Sequence, residues 1–341
     1  MTFETIYKHI GHPWLSKSKM SMYMACPYKY YLTYILGVSY KQKMTAANMG
    51  TIVHEVFDKF FDYVDFDKLL EMQWKRITPK GKLMDVELTP VYRYFIDILL
   101  LVAPKRLRGQ DWMKTNLKSF AMLEELHWHS VRSNYELSSD IRRYWNCGLQ
   151  SRERFYIDEV FMFTGTIDRI INDFSPSIVI ISDYKTGKSV PKPVREDILN
   201  GIYSTKLPSR YVFEGNFYCL LYLLNNNYTF DINPVDDKRY FYKDGKIQKT
   251  PKIDFSFIFT NTGEVHQPFM IARKKMSITT VRRILKIAKE IRACKEWPKC
   301  ANQYVCGWCP ILLHECKKDV KDKFDFVYYP DAERKPVEDS K

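Results

Sequence analysis

The chain has 341 residues, 45% apolar and 15% aromatic, and its 53 Lys and Arg against 40 Asp and Glu give a formal charge of +13. That is ample for a packed core in one large or two modest domains, and the excess of cations suits a polyanionic partner, because Lys and Arg neutralise phosphates and release counterions. No apolar run reaches the ~18 residues a membrane span needs, and the opening MTFETIYKHIGHPW lacks the apolar stretch of a signal peptide, so a cytoplasmic protein with no membrane partner is expected.

In chain order, apolar and aromatic residues recur at helical spacing over 14–36, with Gly37 as the stop. Gly50–Phe61 predicts a second helix whose buried stripe is Val53, Val56, Phe57 and Phe60. Residues 64–150 are rich in Trp, Tyr and Leu and mostly helical, punctuated by Pro79-Lys80-Gly81 and Pro104; they fit either an inserted subdomain or the helical flank of one domain. The texture then changes. Phe155–Phe163, Thr164–Asn172 and Ile178–Tyr184 are short, β-branched and aromatic, which predicts three consecutive strands. A Pro/Lys-rich loop, Lys185 to Pro193, follows, then an apolar helix over Tyr211–Leu224. Ile253–Thr260 and Glu264–Ala272 predict a hairpin across Asn261-Thr262-Gly263, and Ile278–Ala293 an amphipathic basic helix. A cysteine-rich stretch comes next, and the charged tail Asp331–Lys341 is expected to be mobile. The order gives an α/β fold with a central mixed sheet flanked by helices rather than an alternating doubly wound array.

The chemistry sits on the middle strands. Gly165-Thr166-Ile167-Asp168 is expected within one strand, and Ile181-Ser182-Asp183-Tyr184-Lys185 ends the next. Antiparallel pairing would bring Asp168 beside Asp183, a hard, oxygen-rich site for Mg²⁺ or Mn²⁺. Residues 183 and 185 are two apart, so both side chains leave the same face. Lys185 then stands beside the metal and the attacked phosphate, where an ammonium can orient a nucleophile or stabilise the transition state. His54 would add an imidazole ligand, which favours Mn²⁺. A D-x-K triplet alone is a common strand ending; the ordered set G-x-x-x-H, G-x-x-D, D-x-K-T-G is what carries the argument. SDYKTGKS over 182–189 is one residue short of a phosphate loop, with Ser182 in place of Gly and Pro191 and Pro193 where a helix should start, so no ATPase motor is expected.

With Gly50-Thr-Ile-Val-His54, Gly165-Thr-Ile-Asp168 and Ile181-Ser-Asp183-Tyr-Lys185-Thr-Gly187, the chain resembles the RecB-like branch of the PD-(D/E)XK nucleases. The resemblance covers most of the chain apart from about 64–150. It implies a restriction-endonuclease-like core, metal ligation by His54, Asp168, Asp183 and the carbonyl of Tyr184, and a catalytic Lys185. The family's Q-x-x-x-Y motif falls on Glu214-Gly-Asn-Phe-Tyr218, with Glu in place of Gln. Gln donates and accepts hydrogen bonds, whereas an ionised Glu only accepts, so Glu214 would instead bind a metal or a basic side chain, beside a matching Tyr218. The implied activity is DNA hydrolysis, exonucleolytic on single-stranded or frayed ends, in recombination, repair or phage DNA metabolism. The implied setting is a bacterial or phage-infected cell, with a recombination or helicase protein as the partner class.

Eight cysteines in a cytoplasmic chain are thiols or metal ligands before they are disulfides. Cys306, Cys309 and Cys316 form a C-x2-C-x6-C run whose soft thiolates select zinc or iron–sulfur centres. The fourth ligand is open between Cys300, His314 and Cys26, and spacing alone favours Cys300 and a zinc knuckle. The resemblance decides for Cys26: Ser16, Ser18, Cys26, Pro27, Lys29 and Tyr30 look like the N-terminal segment of a nuclease subset that holds a [4Fe–4S] cluster with three C-terminal cysteines. Cys26, Cys306, Cys309 and Cys316 are therefore its expected ligands, with Zn²⁺ as the alternative, clipping the two chain ends together. Cys147, Cys219 and Cys294 are ordinary core or partly exposed thiols.

Basic and aromatic residues interleave around these sites. Lys17, Lys19, Lys29, Lys188, Lys192, Arg273, Lys274, Lys275, Arg282 and Arg283 are expected along phosphates, with Tyr30 and Tyr31 stacking unpaired bases. The expected layout is a single nuclease domain over 1–330: N-terminal helices (14–62), a helical insertion (64–150), the catalytic sheet core (151–275) and a C-terminal helix with a cysteine-bound cluster subdomain (276–320), followed by the 331–341 tail.

Overall fold

The computed structural model describes residues 14–36, 40–41, 46–74, 89–134, 153–158, 161–172, 178–187, 189–200, 204, 206–226, 228–232, 239–247, 252–262, 269–275, 278–300, 306, 309 and 333–334. Strand β1 (Trp14–Ser16) leads into helix α1 (Lys17–Ala25), whose N-cap Ser16 accepts a hydrogen bond from the Lys19 N–H at 3.2 Å. The single helix expected over 14–36 is broken. Cys26 is extended (φ −161°, ψ 105°), α2 (Pro27–Tyr30) restarts after it, and a wider π turn (Tyr31–Ile35) ends the segment. The cause is Pro27, whose ring crowds the preceding residue out of the helical region.

Strand β2 (Tyr40–Lys41) precedes α3 (Ala46–Phe60), where Val53, Val56, Phe57 and Phe60 are all buried as their spacing required. Helices α4 (Phe66–Glu71), α5 (Pro90–Val102) and α6 (Asp111–Asn134) follow. Thr89 caps α5 by accepting from the Tyr92 N–H, with Pro90 in the first turn, where its missing N–H costs nothing.

The middle strands are β3 (Glu153–Asp158), β4 (Phe161–Gly165), β5 (Arg169–Asn172) and β6 (Ile178–Lys185). The expected strand over Thr164–Asn172 is thus cut at Thr166-Ile167-Asp168. The two halves join different sheets: β4 lies between β1 and β3, and β5 borders β6. Helix α7 (Lys192–Leu199) starts where a Pro/Lys loop was expected, with proline tolerated in its first turn. Helix α8 (Ser209–Asn225) matches the predicted apolar helix; β7 (Tyr228–Ile232), β8 (Arg239–Lys243) and β9 (Lys246–Ile247) then form a small sheet of their own. Strands β10 (Lys252–Phe259) and β11 (Met270–Lys275) pair antiparallel from Asp254↔Lys275 to Phe259↔Met270. Strand β11 starts at Met270, and the end of the turn and the first half of the second strand expected there, 263–268, lie outside the described residues. Helix α9 (Ile278–Ala293) has the predicted bounds, and β12 (Glu333–Arg334), in the tail expected to be mobile, pairs with β2.

The central sheet has the order β11-β10-β6-β5 and is mixed: β10 runs parallel to β6, and both outer pairs are antiparallel. Alternation along its strands feeds two cores. Ile181, Phe255 and Phe257 pack with Phe217 and Leu220 of α8 and Ile284 of α9. Tyr184 and Ile258 point the other way and share a core with Phe57, Phe95 and Phe120 from α3, α5 and α6. The helices from the 64–150 region therefore pack directly on the sheet that carries the carboxylates. No helix among the described residues is long and apolar enough to cross a membrane.

Candidate active site

The site forms where β6 ends, between the two helical layers. Strand β5 pairs with β6 through Arg169↔Ser182. One step back along that register brings Asp168 level with Asp183, so the sequence expectation of neighbouring carboxylates is met although Asp168 precedes its strand. The Tyr184 N–H donates to Asp168 Oδ2 at 2.9 Å and fixes the turn. From α3, His54 Nδ1 lies 3.3 Å from Asp168 Oδ1. Asp183 and Lys185 share the sheet face that looks at α8, as the period of two requires. Lys185 Nζ is 2.5 Å from Asp183 Oδ2 and 3.1 Å from Glu214 Oε1 of α8. Its stem is walled by the rings of Tyr211 and Phe257, whose centroids are 5.4 and 5.3 Å from the ammonium. Tyr218 is one helical turn beyond Glu214 on the same face of α8, and its ring stacks on Phe255.

All of these except Arg169, Ser182, Phe255 and Phe257 line one open cleft of about 990 Å³, with Gly50, Gly165 and Gly187 on its walls. Two of the motif glycines are there for space. A Cβ on Gly165 would come 2.5 Å from Leu221 Cδ1 of α8, and one on Gly50 would come 3.1 Å from Thr186 Oγ1. They let α8 and α3 close on the strand ends.

Carboxylates outnumber local compensation, and the ionisation of the site shows it. Burial, with Asp168 and Glu214 nearby, raises the Asp183 carboxyl to about 7 against the opposing pull of Lys185. Burial would lower the His54 imidazole, but the charge and hydrogen bond of Asp168 outweigh it, and His54 is raised to about 9. Lys185 is also pushed up: burial opposes its charge, but Asp183 and Glu214 more than offset it. A buried carboxyl that resists ionising beside two others is a place where added positive charge is favoured. The donor chemistry of Asp168, Asp183 and His54 thus fits a hard divalent ion. Their present geometry is not a closed ligand set: no three His, Cys, Asp or Glu among the described residues are grouped to hold a metal. His54 and Lys185 sit against the oxygens such an ion would use.

The family profile described as the PD-(D/E)XK nuclease superfamily matches residues 14–312. The chain belongs to that superfamily. Its members are nucleases that hydrolyse phosphodiester bonds, typically with divalent metals such as Mg²⁺, and DNA is the implied substrate. No curated protein matches the chain. The Asp183-Tyr184-Lys185 strand end and Asp168 are this chain's candidates for the residues that name the superfamily.

The expected cysteine ligands are only partly among the described residues. Cys316 and His314 lie outside the described residues. Cys26 Sγ accepts from the Lys29 N–H at 3.4 Å as the cap of α2, and Cys306 Sγ lies 4.0 Å from Cys300 Sγ, the local candidate that spacing had suggested. The described thiols do not form a metal-holding group, so the [4Fe–4S] assignment gains no support from them. The chain ends nevertheless meet: the Tyr28 N–H donates to the Pro298 carbonyl at 3.2 Å, and Trp297 stacks on Tyr30 and Tyr31. That packing corrects the role expected of Tyr30, which is 2% exposed and cannot stack on a base. Among the expected phosphate contacts, Lys192 and Arg283 are exposed, Lys19 leans over the Tyr34 ring, and Lys188 lies outside the described residues.

Sequence reasoning missed Arg169 and Asn261 and gave Lys17 only a place along phosphates. Lys17 forms an ion pair with Glu214. Arg169, next to Asp168, forms a buried ion pair with Glu124 of α6 and donates to Tyr184 Oη at 3.5 Å. Asn261 Nδ2 donates to the Thr186 carbonyl at 3.3 Å, bracing the loop after Lys185. The charge-rich EELHWH stretch of α6 was the available signal for Arg169's partner Glu124; nothing local pointed to Asn261 or to the Lys17–Glu214 pair.

Proposed function

We propose that this chain is a metal-dependent DNA nuclease, its residues 1–330 forming one nuclease domain, that hydrolyses phosphodiesters from single-stranded or frayed DNA ends in recombination, repair or phage DNA metabolism. The observation that supports it most is the meeting of His54, Asp168, Asp183 and Lys185 in one cleft within a chain of the PD-(D/E)XK superfamily. Mg²⁺ or Mn²⁺ would be held by Asp168, Asp183 and His54, with the Tyr184 carbonyl. Bound there, the ion supplies a water of lowered pKa and neutralises charge developing on the phosphate. The chain does the rest. Lys185 places a fixed ammonium beside Asp183, where it orients the attacking water and stabilises the pentacovalent oxygens. Glu214 holds that ammonium from the α8 side, and Tyr218 closes the wall behind it. The open cleft admits a strand end without a lid.

The test is cleavage of end-labelled single-stranded DNA with Mn²⁺ or Mg²⁺. The unmutated protein is expected to cut, and Asp183→Ala to lose about 10³-fold or more of the rate. A protein that binds DNA and is inert with both metals overturns the enzyme reading. It would instead support a nuclease-fold subunit that binds DNA ends within a complex with a recombination or helicase protein. One observation favours that second reading: Lys185 is shared between Asp183 and a glutamate at the motif's glutamine position. The cysteine centre on Cys26, Cys306, Cys309 and Cys316 rests on the resemblance alone. Metal analysis after anaerobic purification decides it: iron with sulfide supports a cluster, stoichiometric zinc supports the alternative, and neither leaves the thiols unligated.

A further inference from the structure

Glu214 carries two cations on one oxygen. Its Oε1 pairs with Lys17 Nζ from the N-terminal segment and lies 3.1 Å from Lys185 Nζ. The carboxylate is buried, at 7% side-chain exposure, while Lys17 is 26% exposed on the cleft wall. Lys17 is not a loosely held surface lysine. Its predecessor Ser16 is paired with Thr164 in the β1–β4 ladder and caps α1, so the backbone that carries Lys17 is fixed on the sheet beside Gly165. The sheet that delivers Gly165 to the site therefore also delivers Lys17.

The geometry points to Lys17 as a positioning residue that acts through Glu214 on Lys185. This rests on the nuclease reading for its functional consequence. With Lys17 present, Glu214 divides its attraction between two ammonium groups, and Lys185 stays balanced between Glu214 and Asp183. Without Lys17, a buried carboxylate is left with Lys185 as its remaining ion-pair partner and draws that ammonium toward α8 and away from the reacting phosphate. Lys17 also offsets the charge that Glu214 adds where the Q-x-x-x-Y motif of the RecB-like resemblance has a neutral Gln. It is thus coupled to Glu214 rather than simply one more cation along the DNA path.

The experiment is a double-mutant cycle on the full chain with Lys17→Met, Glu214→Gln and the double variant, with Lys17→Arg as the conservative control. Single-turnover cleavage of end-labelled single-stranded DNA in Mn²⁺ gives one readout, and thermal unfolding of the metal-free protein gives the other. Lys17→Met is expected to lower kcat about tenfold while KM changes less than about twofold, and Lys17→Arg to retain most of the rate. In the Glu214→Gln background the same Lys17→Met change is expected to cost less than about twofold, and its effect on the melting temperature to shrink in parallel. If Lys17→Met raises KM at unchanged kcat, or loses the same factor in both backgrounds, Lys17 contacts DNA directly and the inference is overturned. If the unmutated protein does not cut at all, the nuclease reading fails, while the melting cycle still decides the pair: additive shifts in melting temperature overturn it.

Discussion

Arg169→Met tests the support behind Asp168. Arg169 is 1% exposed and Glu124 0% exposed, and the two form an ion pair between β5 and α6. Burial pushes the guanidinium pKa down, and Tyr184 partly restores it, so the charge is held in place by its partners rather than by water. Methionine fills much of the arginine volume and adapts to irregular space, which leaves loss of the charge as the main effect. Removing one member of a buried pair strands the other, at about 3–5 kcal/mol. Against a total stability of about 5–15 kcal/mol for a folded domain, the variant would be left close to unfolding. Adding Glu124→Leu removes the stranded charge, and an apolar replacement of a buried pair is often neutral or stabilising. The double variant should therefore recover to within about 1–2 kcal/mol of the parent. Urea denaturation followed by circular dichroism measures both. A cost below about 1 kcal/mol for Arg169→Met, or a double variant no more stable than the single, refutes the reasoning. Arg169 also donates to Tyr184 Oη, and Tyr184 N–H holds Asp168. Restored stability without restored metal affinity would locate the second role of Arg169 in that chain of contacts.

Three further outcomes are expected. Gly165→Ala places a methyl 2.5 Å from Leu221 Cδ1 and should cost about 1–3 kcal/mol by overpacking, read as a lowered melting temperature that Leu221→Ala partly relieves in the double variant. His54 is raised to about 9, so its contribution to the metal-free protein is fully present below about pH 6.5 and lost as pH rises through about 9. A metal ligated by neutral imidazole must displace that proton, so metal affinity should rise with pH up to about 9 and binding should release protons, detectable by calorimetry in buffers of different ionisation enthalpy. His54→Ala should abolish this part of the release; an unchanged value removes His54 from the ligand set. Lys185→Ala should lower kcat by about 10²–10³ with little change in DNA binding by fluorescence anisotropy, and an equal loss in binding would make Lys185 a phosphate contact only.

The carboxylate pair was legible because it depends on local rules. A period of two fixes which face Asp183 and Lys185 share, and antiparallel neighbours bring Asp168 alongside. The break at Cys26 was also legible in Pro27, and was passed over because apolar spacing continued across it. What sequence could not supply is contact between residues distant along the chain. The strand expected over Thr164–Asn172 is two strands in two sheets, β4 between β1 and β3 and β5 beside β6, and local β-propensity carries no trace of that division. The same holds for Lys17, whose cation looked like part of a general basic surface. Its neighbour in space, Glu214, is set by the β1–β4 pairing, which places Lys17 on the cleft wall. Charge counted along the sequence gives a basic protein that suits DNA; charge counted in the cleft gives five carboxylates, Glu55, Asp58, Asp168, Asp183 and Glu214, and His54, Lys185 and Lys17 converge on the last three. On the proposed reading the second count matters more than the first, because an excess of buried carboxylates is where added positive charge is favoured.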